Sequence, residues 1–161
     1  LNAIARFFFN NRPGAGENDE DQQIMRIVLA CDSMSKNMTG ALIILEREMS
    51  LTDIIKSGET IDANISTELI KNIFFKNSPL HDGAMIISRN RIMAAGCILP
   101  VSHNLKELGL RHRAALGITS QSDAIAIIVS EETGAISVAQ GGAFHLKLAI
   151  NELESYLKNA L

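Results

Sequence analysis

The segment PLHDGAMIISRNRIMAAGCIL, residues 79–99, holds two apolar runs joined by the short polar connection RNR. AMIIS (84–88) and IMAAGCIL (92–99) are short and bounded by turn residues, so they read as an antiparallel strand pair. His81, Asp82 and Gly83 stand directly in front of the first run. Asp-Gly before a strand is ordinary turn chemistry, because Gly tolerates φ > 0 and Asp bonds its own backbone. His81 beside Asp82 also offers a metal pair, since imidazole and carboxylate both ligate divalent ions. On this segment alone the turn is the simpler reading.

Away from this hairpin the hydrophobic period changes. Ile24, Ile27, Val28, Cys31, Met34 and Met38 recur at helical spacing over 22–38. TGALIILE follows as a buried strand at 41–46, with Gly40 permitting close backbone approach. STELIKNIFF (66–75) is a helix with Ser66 as N-cap and Glu68 in its first turn, stopped by NSP. KELGLRHRAALGITSQS (106–122) reads as a loop running into a short helix. DAIAIIVS (123–130) and AISVAQ (135–140) make a second strand pair around EETG, GG breaks the chain, and 144–159 reads as a closing helix. Helices and strands alternate but hairpins interrupt them, which gives an α/β fold: a mixed central β-sheet covered by helices on both faces. NNRPGAGENDEDQQ (10–23) is the clearest linker. It divides an N-terminal segment, 1–21, from one domain, 22–161.

The bulk composition narrows the function. With 161 residues, 47% of them apolar and 20% charged, the chain suits one domain with a sizeable core. A net charge of −3 argues against broad capture of nucleic acid or anionic membrane, and 4% aromatics without Trp argues against base-stacking platforms. Cys31 and Cys97 sit in apolar contexts and read as buried free thiols. No CxxC, HExxH, GxxxxGK[ST] or GxGxxG occurs, so a phosphate or metal site has to be built differently.

GLRHRAALG (109–117) is the most concentrated cationic feature. Arg111, His112 and Arg113 fall at a helix start, where exposed N–H groups and the dipole favour an anion. Two Arg forks add bidentate phosphate recognition. Without an anion they form a solvated basic turn that is locally unfavourable. SEETG (130–134) puts Glu131 and Glu132 at a strand end, where they suit a metal, a cationic partner or a plain charged turn. One Asp, two Arg, two Glu and strand-end glycines together are the set needed to hold a nucleoside triphosphate with a divalent metal.

In this order, TGALIILER (39–47), NSPLHDGA (77–84), RHR (111–113) and VSEETGAIS (129–137) resemble the diadenylate cyclase domain, a family that makes cyclic di-AMP from two ATP molecules. The resemblance covers about residues 24–142 and is closest to the membrane-anchored housekeeping type. It implies a cytoplasmic catalytic domain that follows transmembrane helices, which suits the opening LNAIARFFFN. It also implies roles. Asp82 of the DGA motif (Asp82, Gly83, Ala84) would help bind a divalent metal, Mg, Mn or Co, and activate the ribose 3′-hydroxyl, with His81 as a second metal contact. Arg111 and Arg113 would hold phosphates, with His112 supporting them. Ser130, Glu131 and Glu132 would lie near the triphosphate, and the Leu99 backbone would read the adenine edge. Catalysis would need a homodimer, and nucleic acid is not an expected partner. One departure stands out: the family commonly has Thr before RHR, and here Leu110 replaces it. Two other readings remain open at this stage. One is a module that holds ATP or cyclic di-AMP without turning it over. The other is a metal-dependent nucleotide phosphohydrolase.

Overall fold

Every residue of the strand Ala41–Leu45 is buried, because helices cover both faces of the sheet to which it belongs. The computed structural model describes residues 17–101 and 107–161, with side chains from Asp19 onward. Along the chain run α1 (Glu17–Lys36), β1 (Ala41–Leu45), α2 (Thr52–Lys56), β2 (Glu59–Asn64), α3 (Thr67–Phe74) and β3 (Ala84–Ser88). β4 (Arg91–Cys97), α4 (Leu110–Gln121), β5 (Ile125–Val129), β6 (Ile136–Gln140), β7 (Ala143–Leu148) and α5 (Ile150–Ala160) follow.

The seven strands form one sheet in the order β2-β4-β3-β1-β5-β6-β7. β1 and β3 pair in parallel, and all other neighbours are antiparallel. The two-residue period of a strand sorts the central side chains between two cores. Ile43, Met85 and Ile127 face one core, shared with Ile27 and Cys31 of α1, Phe74 of α3 and Leu157 of α5. Leu42, Ile86 and Ile128 face the other, shared with Ala115 and Ile118 of α4. Helices on both faces are thus as expected. Both cysteines are free and buried, and burial pushes the Cys31 thiol up to about 12. Among the described residues no helix is long and apolar enough to cross a membrane.

Local signals explain several element ends. The Ser66 hydroxyl accepts a hydrogen bond from the Leu69 N–H at 3.2 Å, as an N-cap should. Arg89 and Asn90 both have positive φ, 51 and 64°, and make the tight turn between β3 and β4. The chain is helical from Glu17, the first described residue, so Asp19, Glu20 and Asp21 of the expected 10–23 linker lie within α1. Residues 1–16, with most of the expected N-terminal segment, lie outside the described residues.

The expected closing helix at 144–159 is corrected: its first third is a strand. Gly141 and Gly142, with φ of 59 and 74°, turn the chain back, and β7 pairs antiparallel to β6 before α5 begins. Phe144, Leu146 and Leu148 alternate with His145 and Lys147, a two-residue period that the longer helical pattern of α5 masks. The sequence also gives no clear sign of α2 or β2. β2 is an edge strand whose polar residues form no apolar run. Both edge strands are irregular. β2 carries an extra residue against β4, with Asp62 at φ 50°, and β7 one against β6, with Lys147 at φ 55°. Arg91 clamps the first irregularity through Asp62 Oδ1 at 2.6 Å and the Asp62 carbonyl at 2.7 Å.

Ile43 is fully buried in the middle of the sheet. Ile43→Ala is expected to cost about 2–5 kcal/mol of stability, the lost transfer energy plus the cavity. Urea unfolding followed by circular dichroism measures it; a loss under about 1 kcal/mol would mean that this core collapses to fill the space.

Candidate active site

Four strand ends meet at one edge of the sheet. β1 and β3 run parallel, so their starts lie together, at Gly40 and at Gly83. β5 pairs with β1 with Val129 opposite Ala41, so Ser130 emerges at the same edge. β4 pairs with β3 with Cys97 opposite Ala84, which brings Leu99 there too. The sequence-distant motifs around Asp82, Leu99 and Ser130 are therefore neighbours because of strand direction. α4 starts above the same edge, with Gly109 as N-cap.

A cleft of about 260 Å³ opens at this edge. Leu42, Cys97, Leu99 and Ala114 give it an apolar floor, and Leu110 lines it with 62% of its surface exposed. Asp82 and Arg111 supply its charged groups, with Gly83 and Ala84 between floor and rim. Gly83 has φ +98°, and a Cβ there would lie 2.6 Å from the Cys97 carbonyl oxygen, so no other residue fits without strain. Gly96, at φ +63°, sits in an irregularity of β4 beside this turn, which bends the strand around the cleft. Burial pushes the Cys97 thiol up to about 11, so it is a neutral wall and not a nucleophile.

Asp82 is 86% exposed, and its Oδ1 lies 3.4 Å from His81 Nε2. His81 Nδ1 is 2.7 Å from the Ser78 carbonyl, which only accepts, so Nδ1 carries a proton. Nε2 then faces a carboxylate with its lone pair unless a proton or a metal ion sits between them. The arrangement fits a divalent ion held by His81 and Asp82, with the imidazole oriented from behind by a carbonyl. Among the described residues no group of three His, Cys, Asp or Glu stands together, so phosphate oxygens and water would have to complete its shell.

At the start of α4 no side chain among the described residues caps the helix, and no acid lies in the first turn. The N–H groups of that turn, the helix dipole and Arg111 all favour an anion on the cleft side. Arg111 is 22% exposed and reaches Glu131 Oε2 at 3.7 Å, a long contact with an exposed partner. His112 and Arg113 do not line the cleft. His112 packs edge-on against Phe144 of β7 at 6.1 Å, and the Arg113 Nε is buried without a hydrogen-bond partner among the described residues. Ser130 Oγ accepts from the N–H groups of Glu132 and Thr133 at 3.2 and 3.3 Å, so it shapes the acidic turn.

The sequence motifs do not indicate the apolar lining, Leu42, Cys97 and Ala114. In sequence these are core-like residues, and only strand ends and a helix start make them a wall. Gly40 does signal a close approach; the group that approaches it is the Arg111 guanidinium.

A family model described as DAC, DisA bacterial checkpoint controller nucleotide-binding, matches residues 28–144. The chain belongs to this diadenylate cyclase family. The chain is 43% identical to the cyclic di-AMP synthase CdaA of Bacillus subtilis, over 98% of its own length and 59% of that protein. It is also 43% identical to a diadenylate cyclase of Listeria monocytogenes, over 90% of its length and 54% of that protein. The chain thus spans somewhat more than half the length of these relatives. A crystal structure of DacA from Staphylococcus aureus superposes with a TM-score of 0.86 at 44% identity, covering 89% of this chain and 97% of that one. A hypothetical membrane spanning protein from Bacillus cereus superposes at 0.72 with 40% identity, covering 76% and 62% of the two chains. The diadenylate cyclase fold thus matches the α/β mixed sheet expected from sequence.

In this domain His112 lies between opposing influences. Burial lowers its pKa most, the neighbouring Arg111 charge lowers it further, and Glu132 opposes both. The folded chain therefore takes up this proton less readily than the unfolded chain, where the ordinary value of 6.5 applies. The stability that His112 contributes is complete above pH 6.5 and is lost as pH falls below it toward the depressed folded value. Between about pH 7.5 and about pH 5.5 the melting temperature should fall further in the wild type than in His112→Gln. Equal falls would show that His112 does not titrate below its unfolded value.

Proposed function

We propose that this chain condenses two ATP molecules into cyclic di-AMP and two pyrophosphates. The observation that carries the reading is the convergence, at one sheet edge, of an apolar cleft, the Asp82 carboxylate and the Arg111-bearing start of α4. Relatives named diadenylate cyclase and cyclic di-AMP synthase support it.

The cleft of about 260 Å³ lies below the roughly 300–1,000 Å³ that encloses a whole drug-sized ligand. It suits a purine ring on the apolar floor, with the Leu99 backbone reading its edge and the phosphates left outside. The triphosphate then lies along the start of α4, against the first-turn N–H groups and Arg111. Glu131 releases Arg111 at little cost, because their contact is long and solvated. Glu131, Glu132 and Ser130 border the phosphates, while Arg113 and a neutral His112 support the helix start.

In each half-reaction a ribose 3′-oxygen bonds to the α-phosphorus of the other nucleotide, and the bond from that phosphorus to the bridging oxygen breaks. Pyrophosphate leaves with the electron pair. Asp82, exposed at the cleft rim, accepts the 3′-hydroxyl proton. A divalent metal, Mg, Mn or Co, on Asp82 and His81 would lower the pKa of the hydroxyl and neutralise phosphate charge. The rest of the catalysis is positioning and electrostatics.

Incubating the protein with ATP and a divalent metal, then separating the products by chromatography, tests the reading. Cyclic di-AMP supports it. Mononucleotides would indicate a phosphohydrolase, and bound but unchanged ATP a binding module. Asp82→Asn keeps the turn chemistry and removes the charge, so it should abolish cyclic dinucleotide formation while the melting temperature holds. Wild-type turnover in that variant would reject the role given to Asp82.

One chain offers one set of these groups, enough for one nucleotide, and the reaction needs two facing each other. Two chains about a two-fold axis are the simplest solution. At saturating ATP, turnover per chain should fall as the enzyme is diluted from micromolar to low nanomolar. Constant turnover, with sedimentation showing a monomer throughout, would reject a shared site. We also propose that the domain works on the cytoplasmic side of a membrane-anchored protein, in line with the similarity to a chain described as membrane spanning. Recovery of the full-length protein in the soluble fraction of cells would reject the anchor.

A further inference from the structure

We infer that the last turn of α1 and its connection into β1, residues 35–40, position both members of the Arg111–Glu131 pair: Gly40 places Arg111, and Ser35 places the turn that carries Glu131. The inference rests on the reading of Arg111 as a phosphate contact.

Gly40 is buried, and a Cβ on it would lie 2.6 Å from both Cζ and Nη1 of Arg111 and 3.0 Å from Nη2. Three guanidinium atoms at nearly equal distance mean that the group lies face-on against the bare backbone of Gly40. Carbon contacts are normally about 3.5–4.0 Å, so a methyl group there would displace the guanidinium by about 1 Å. Gly40 is not among the glycines with positive φ, so alanine suits its backbone. The atoms in the way are the far end of a flexible side chain. What yields to a Cβ is therefore the position of Arg111 and not the fold.

The same helix end holds the other partner. Ser35 Oγ donates to the Gly134 carbonyl at 2.5 Å, and the Gly134 N–H closes the acidic turn on the Ser130 carbonyl at 2.9 Å. Gly134 has φ +75°, and any side chain on it would run into the Ser35 carbonyl. Glu131 in this turn is the carboxylate 3.7 Å from Arg111. Neither Ser35 nor Gly40 lines the cleft, so both act through the residues they hold.

A double-mutant cycle between Gly40→Ala and Arg111→Ala tests the first half. Gly40→Ala should keep the wild-type melting temperature within a few degrees and lose roughly ten- to hundredfold in kcat/KM, the size of one charge-assisted contact. In the Arg111→Ala background the same change should cost less than about twofold. Equal losses in both backgrounds, or wild-type activity in Gly40→Ala, would overturn the inference. A crystal structure of Gly40→Ala tests the same point without relying on turnover. The guanidinium displaced with α4 in place supports positioning; the guanidinium in place with the backbone moved overturns it. If the wild type makes no cyclic dinucleotide, the functional reading fails and this crystal structure still decides the role of Gly40. For the second half, crystal structures of Ser35→Ala and Ser35→Thr are compared. A displaced 131–134 turn in the first, restored in the second, supports the role of Ser35, and an unmoved turn in Ser35→Ala overturns it.

Discussion

The parallel pairing of β1 with β3 governs the rest of this molecule. Parallel neighbours start at the same edge of a sheet, so the turns before Ala41 and before Ala84 are held side by side. Their outer neighbours, β5 and β4, are antiparallel to them and so end at that edge. Two starts and two ends then converge on one line. Segments separated in sequence, at residues 40, 82, 99 and 130, become one wall. Had all four strands been antiparallel in turn, half of these groups would lie at the far edge. Only one parallel pair is needed, and it sits where both faces are covered, as parallel pairing requires.

Most of this architecture is legible in the chain because the central strands are short, apolar and bounded by clear turn residues. AMIIS and AIAIIV read as strands, and Ser66 reads as a cap, since each signal is local. Two regions are not legible, for opposite reasons. β2 has too few apolar residues to announce itself, because an edge strand buries little. β7 has enough, but its alternation runs straight into the periodic residues of α5, and the longer pattern dominates. The Gly141-Gly142 pair between two alternating runs is the available signal for a hairpin.

The site divides in the same way. Arg111 stands out in sequence because a cation at a helix start is locally unfavourable without an anion, whereas Asp82 before a strand reads alone as a turn and gains meaning only beside the other motifs. The apolar floor does not stand out. Leu42, Cys97 and Ala114 satisfy every local rule for a core residue, and only the meeting of strand ends with α4 leaves them lining a cleft. Arg111, His112 and Arg113 form one motif in sequence, but the helix turn separates them: Arg111 lines the cleft, His112 packs on Phe144, and Arg113 lies away from the cleft, half-buried with its Nε shielded from solvent. Leu110 illustrates the reverse. It departs from the common family residue, yet it is 62% exposed at the rim and carries no part of the core.

The irregular edge strands bear on how copies of this chain meet. An open sheet edge is a template for another strand, and a sheet this apolar would be a sticky one. Asp62 and Lys147 each break the repeat of their edge with a left-handed residue, and Arg91 locks the first of these in place. Continuous strand addition is thereby blocked at both ends of the sheet. Each edge thus carries a built-in obstacle to edge-to-edge aggregation.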